Sequence, residues 1–202
     1  MKISEGDKIP QVKLSKATEG GPEPVDTRDF FAGRKVALFA VPGAFTPTCS
    51  AKHLPGFAEK AEELKAKGID EIACISVNDA FVMGAWKKAD GSEDITMLAD
   101  GNGEFAEAIG LTMDGSGFGM GKRSQRYSMI VDDGEVRKLN VEQPGDFKEK
   151  PVFGLGVLVG ELAAGRTGSA GQLDNLFFQG SIHFGRHNLS RRTYFNRTRS
   201  SR

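Results

Sequence analysis

Residues 35–41 read KVALFAV, a continuous apolar run after one lysine. A run of that length predicts a strand buried on both faces rather than one with a wet side. EIACISV at 71–77 repeats the pattern, and residues 95–98 predict a third, shorter strand. Residues 127–131 and 135–141 predict two more, joined at Asp132-Asp133-Gly134 by a hairpin turn. Between the strands the apolar period lengthens to that of a helix. Leu54, Phe57, Ala58, Ala61 and Leu64 predict one helix from Thr48 or Cys49 to Gly68, kinked at Pro55. Asn78-Asp79 predicts the cap of a second helix through Phe81, Val82, Ala85 and Trp86, and residues 103–109 a short third. Strands alternating with helices and closing on a hairpin predict an α/β fold, a mixed central sheet flanked by helices.

Composition narrows the class. The chain has 202 residues, 39% hydrophobic and 27% charged, a soluble globular balance. Two cysteines are too few for a disulfide scaffold. The net charge of zero argues against nucleic acid and against acidic membranes as partners. No apolar segment reaches the ~20 residues of a membrane span. The start, MKISEGDKIP, has no apolar signal core, so a cytoplasmic location is expected. The neutrality is uneven: residues 1–150 carry a net −5 and residues 151–202 a net +5, with seven arginines and no lysine. This predicts a domain over 1–150 and an atypical Arg-rich tail over 151–202, partly disordered. Within the tail, 152–164 is apolar enough to pack on the domain, although its glycines and proline oppose a helix.

The candidate chemistry lies in Pro42-Gly43-Ala44-Phe45-Thr46-Pro47-Thr48-Cys49, between a buried strand and a helix start. In α/β sheets, sites form at the carboxyl ends of strands. At a helix start, unpaired N–H groups and the dipole favour an anion, so Cys49 is placed to react as a thiolate. Thr46 stands three residues before it, and Arg123 or Arg126 offers the cation. From position alone, an inert half-buried cysteine fits equally well.

Pro42-x-x-x-Thr46-x-x-Cys49 resembles the active-site signature of the peroxiredoxins, and PGAFTPTCSAKHLPGF resembles that of their type II, peroxiredoxin-5-like group. The likeness extends over about residues 3–147, through RSQRYSMIVDDGEVRKLNVE. It implies a thioredoxin fold and a thiol-dependent peroxidase that reduces hydrogen peroxide and alkyl hydroperoxides through a cysteine sulfenic acid. It implies that Cys49 is the peroxidatic nucleophile, that Thr46 orients the peroxide, that Arg126 holds the thiolate and polarises the O–O bond, and that Pro42 shields the sulfur. It implies no metal or organic cofactor, a homodimer with Phe45 and Phe81 at its contact, and recycling by glutathione with glutaredoxin or by thioredoxin. Cys74 is either the resolving cysteine of some type II members or a small buried strand residue.

Alternative functions are a peroxide-sensing relay that passes a disulfide to a partner protein, and a non-catalytic holdase. Cys49 and His53 stand four apart, as two metal ligands would, but nothing completes a tetrahedral set, and His53 is expected at the rim of the site. GSGFGMGKR at 115–123 resembles a phosphate loop but has Ser116 and Arg123 where that loop needs Gly and Ser or Thr. It is expected to be a flexible loop before Arg126. The chain departs from the resemblance after Phe147, where the family's closing acidic turn and amphipathic helix are missing.

Overall fold

The strand Lys35–Ala40 (β3) is the axis of the molecule. Its odd-numbered residues Ala37 and Phe39, with Val41 beyond, enter one core; Val36, Leu38 and Ala40 enter the other. Every second residue is thus consumed on each side, which is why the run carries no polar alternation. The computed structural model describes residues 1–47, 49–143, 158 and 160. The chain divides into two units, Met1–Ser169 and Ala170–Arg202. All the described residues belong to the first; the second unit and the composition boundary near Lys150 lie outside them.

Around β3 the elements follow in this order: Lys13–Thr18 (β1), Gly21–Asp26 (β2), Thr27–Phe31 (α1), β3, a π-helical turn Cys49–His53, Leu54–Glu59 (α2), Ala61–Ala66 (α3), Glu71–Ser76 (β4), Ala80–Asp90 (α4), Thr96–Ala99 (β5), Glu104–Ala108 (α5), Thr112–Asp114 (β6), Lys122–Ser124 (β7), Tyr127–Asp132 (β8) and Glu135–Val141 (β9). The seven-stranded sheet has the order β2-β1-β5-β4-β3-β8-β9. β3, β4 and β5 are parallel, and the strands outside them antiparallel. α2, α3 and α4 cover the face that holds Phe39 and Cys74, through Leu54, Phe57, Leu64, Met83 and Trp86. α1 and α5 cover the other, through Phe30, Phe31 and Phe105. This is the mixed sheet flanked by helices that the sequence predicts, in a thioredoxin-fold arrangement.

Three expectations are corrected. The single kinked helix over 48–68 is instead a π-turn and two short helices, broken at Lys60 (φ −99°, ψ 5°). Pro55 does not kink a helix; it stands in the first turn of α2, where a missing N–H costs nothing. Second, β1, β2 and α1 form a hairpin and helix before β3 where no element was expected. Their strands carry little apolar signal, and Pro22 and Pro24 are tolerated because β2 is an edge. Third, the glycine-rich run is a loop over 115–121, as expected, but one held between two short strands, with a 3-10 turn at Ser116–Phe118. β6 and β7 pair on either side of it, from Thr112 opposite Ser124 to Asp114 opposite Lys122.

The hairpin expected at Asp132-Asp133-Gly134 forms, with Asp132 opposite Glu135. Asp133 (φ 49°) and Gly134 (φ 74°) both take the left-handed conformation that a two-residue hairpin turn requires. In α4 the buried face is Ala80, Met83 and Trp86; of the expected residues Trp86 is buried and Val82 half-buried, while Phe81 and Ala85 are exposed. Asp79 caps this helix, its carboxylate accepting from Val82 N at 2.9 Å. Within the stretch 152–164, Leu158 is fully buried in the same cluster as Cys49; the rest of that stretch, apart from Gly160, lies outside the described residues.

α4 carries Trp86 against the segment that follows Cys49, so its cap supports the site. Asp79→Ala is expected to lower stability by about 1 kcal/mol. Urea unfolding should show a lower midpoint at an unchanged slope.

Candidate active site

The chain leaves β3 at Val41 and turns before Cys49. Ser76 Oγ lies between Val41 O (3.1 Å) and Asn78 Oδ1 (2.9 Å), and Asn78 Oδ1 accepts from Ala44 N (3.0 Å). The end of β4 therefore pins the loop that ends β3. Asp79, rather than Asn78, caps α4; Asn78 serves this loop. Phe45 adopts φ 59°, which costs a residue with a Cβ about 1–2 kcal/mol. Thr46 Oγ1 donates to Gly43 O at 3.0 Å, and Thr46 O accepts from Ser50 N at 3.0 Å, which joins the loop to the residue after Cys49. Ser50 Oγ in turn accepts from the indole N–H of Trp86 at 2.9 Å. Pro42 is half-buried at the start of the loop.

Cys49 is fully buried at the first position of the π-turn. Arg126 Nη1 donates to its sulfur at 3.2 Å, and Arg126 is itself only 8% exposed. The other edge of the guanidinium, Nε, donates to Glu142 Oε2 at 3.2 Å. Of the two arginines the sequence offered, the structure places Arg126 on the sulfur. Arg123 instead braces the neighbouring backbone, donating from Nη1 to Val77 O (2.6 Å) and from Nε to Met120 O (2.8 Å). Glu142 was not foreseen. It lies beyond the last residue of β9, where an isolated glutamate carries no pattern.

Cys74 lies in β4 between Phe39 and Met97 of the adjacent strands and is fully buried. Both cysteines are free and belong to one core cluster. Burial first, and the neighbouring Cys49 second, push the Cys74 thiol well above its ordinary range. His53 does not stand at the rim as expected. It is 1% exposed, with its ring 5.5 Å from Phe39 and 5.4 Å from Phe57. The bulged π-turn carries it inward, and among the described residues neither ring nitrogen has a hydrogen-bond partner. Among the described residues no group of three or more His, Cys, Asp and Glu is placed to hold a metal ion.

A cysteine at a strand-to-helix junction, buried and bonded to a guanidinium, defines a thiol-based oxidoreductase site on a thioredoxin fold. The Redoxin family matches the chain over residues 4–153. Peroxiredoxin-2E-2, chloroplastic, of Oryza sativa subsp. japonica is 54% identical over 151 residues, which are 72% of this chain and 67% of that protein. The crystal structure of reduced Prx3 in complex with H2O2 from Vibrio vulnificus superposes with a TM-score of 0.74 at 52% identity, covering 79% of this chain and 99% of that one. Peroxiredoxin 5 from Alvinella pompejana gives 0.64 at 40% identity, covering 69% and 90%. The chain belongs to the Redoxin family, as a peroxiredoxin of the type II group. It is a thiol-dependent peroxidase that takes a peroxide as substrate and a thiol as reductant.

Burial first, and the positive charge of Arg126 second, hold His53 down to about 3, from 6.5. Below 6.5 the unfolded chain therefore takes up a proton that the folded one refuses. Stability that is fully present above pH 6.5 is lost as the pH falls toward 3, by about 1.4 kcal/mol per pH unit. His53→Leu is expected to flatten the urea-unfolding stability between pH 6.5 and about 5. An unchanged slope in that variant would assign the dependence to other groups.

Proposed function

We propose that Cys49 is the peroxidatic nucleophile for hydrogen peroxide and small alkyl hydroperoxides, with Arg126, Thr46 and Pro42 as its site. The observation that carries this reading is the buried bond from Arg126 to the sulfur at 3.2 Å. The thiolate attacks one peroxide oxygen and forms the S–O bond as the O–O bond breaks. The leaving oxygen departs with the electron pair and takes a proton, giving water or an alcohol, and Cys49 becomes a sulfenic acid. One guanidinium N–H is engaged by the sulfur and one by Glu142; others are left for the oxygen on which charge develops. The Thr46 hydroxyl, oriented by Gly43 O, keeps its lone pairs free to accept from the peroxide. Pro42 contributes apolar cover and no donor.

We assign recycling to an external thiol, glutathione with glutaredoxin or thioredoxin, rather than to Cys74. Two thiols reduce the sulfenic acid to the thiol, leaving a disulfide between them and water. The placement of Cys74 supports this: it is paired on both sides inside a central strand, and burial disfavours its thiolate. Stopped-flow oxidation by hydrogen peroxide with intact-mass readout tests both parts. A fast phase is expected in the wild type and in Cys74→Ser and not in Cys49→Ser, with a gain of one oxygen. A loss of two hydrogens that vanishes in Cys74→Ser would give Cys74 the resolving role, and absence of any fast phase would sink the peroxidase reading.

A homodimer is also proposed. Phe45 is 53% exposed and Phe81 73% exposed, and they stand near the site at the end of the sheet. Sedimentation is expected to show a dimer that Phe81→Asp converts to a monomer. A wild-type monomer at micromolar concentration would refute it.

A further inference from the structure

Glu142 reaches the Arg126 side chain only because β9 is irregular. From Tyr127 opposite Val141 to Ile130 opposite Lys138 the register with β8 is regular; it then shifts, so that Val131 faces Val136. The extra residue on β9 is Arg137, a β-bulge. Val136 packs into the core on the face away from Cys49, and Leu139 and Val141 pack against that same core. In a regular strand Val136 would share its face with residues 138, 140 and 142, and Glu142 would point away from the site. One inserted residue exchanges the faces of everything beyond it. The backbone then fixes the pair: Glu142 N donates to Arg126 O at 2.9 Å, while Glu142 Oε2 takes Arg126 Nε.

The carboxylate is poorly provided for as a structural group. It is mostly buried, and among the described residues its Oε1 is buried with no hydrogen-bond partner. A buried acceptor left unpaired costs about 1–3 kcal/mol, so stability alone does not account for it. What the carboxylate does accomplish is to fix one edge of a planar guanidinium, which aims the opposite edge at the sulfur. We propose that Glu142 is a positioning residue for the peroxide reaction, brought onto Arg126 by the Arg137 bulge. The proposal rests on the reading that Arg126 acts on a peroxide at Cys49.

The second-order rate constants for hydrogen peroxide and for iodoacetamide, measured on the full chain, test this. Peroxide needs the guanidinium at both the sulfur and the leaving oxygen, whereas alkylation needs it at the sulfur alone. Glu142→Ala is expected to slow the peroxide reaction by about tenfold or more. The ratio of peroxide to iodoacetamide rates should fall at least about fivefold. Glu142→Gln, whose amide oxygen still accepts from Nε, is expected to recover most of the loss. Glu142→Ala added to Arg126→Ala should change nothing further. A Glu142→Ala rate within about twofold of wild type, an unchanged ratio, or a Glu142→Gln loss as large as that of Glu142→Ala would each overturn the proposal. A wild type with no fast phase would overturn it together with the peroxidase reading, which distinguishes the two failures.

Discussion

The hydrogen bond between Arg126 and Cys49 joins residues 77 apart in sequence, and the topology of the sheet exists around that meeting. β3 runs toward the site and β8 runs away from it, with Ala40 opposite Tyr127. The loop that leaves β3 and the residue that enters β8 therefore emerge at the same end of two neighbouring strands. A parallel β8 would put Arg126 at the far end of the sheet. Burying a guanidinium is costly unless its donors are met. Here one donor is met by the sulfur and one by Glu142, so the cation is held between two groups able to carry negative charge.

Around that pair the chain is tied down by a set of bonds that cross between elements. Asn78 holds Ala44, Thr46 holds Ser50, and Trp86 holds Ser50 from α4. These bonds offset the left-handed Phe45 and the π-turn, neither of which forms by itself. Irregular backbone of both kinds gathers at functional sites. Here it brings a buried sulfur to the first position of a helical segment. The Ser50 contacts hold the residue next to Cys49 in place.

The parts of the fold legible in sequence were those whose burial leaves a periodic trace. β3 and β4 are buried on both sides and read as apolar runs. Leu54, Phe57, Ala61 and Leu64 were read on the right face even though the helix that carries them is broken into pieces. β1 and β2 were not legible, because an edge hairpin needs only one side covered and its apolar content is low. The meeting of Arg126 with Cys49 was expected from the motif around them, which tells which residues go together but not how they are held; Thr46 bonds Gly43 and Ser50 in the adjoining loop. Glu142 was invisible for a geometrical reason: counting by twos along β9 puts it on the wrong face, and only the bulge at Arg137 corrects the count. His53 was misplaced for a similar reason, since a π-turn rotates the residues after Cys49 differently from the α-helix assumed.

Cys49 and Cys74 provide an internal comparison that separates burial from chemistry. Both are fully buried, and both belong to the same apolar cluster. Exposure therefore does not distinguish them. Cys74 has ladder neighbours on both sides and no donor to its sulfur among the described hydrogen bonds, and burial keeps its thiol protonated. Cys49 has the guanidinium and the start of a helical turn. In a low-dielectric interior an ionised sulfur without such donors is prohibitively costly, whereas with them the absence of water strengthens each interaction. What separates them is a single arginine, delivered by β8 and bonded to Glu142 just beyond β9.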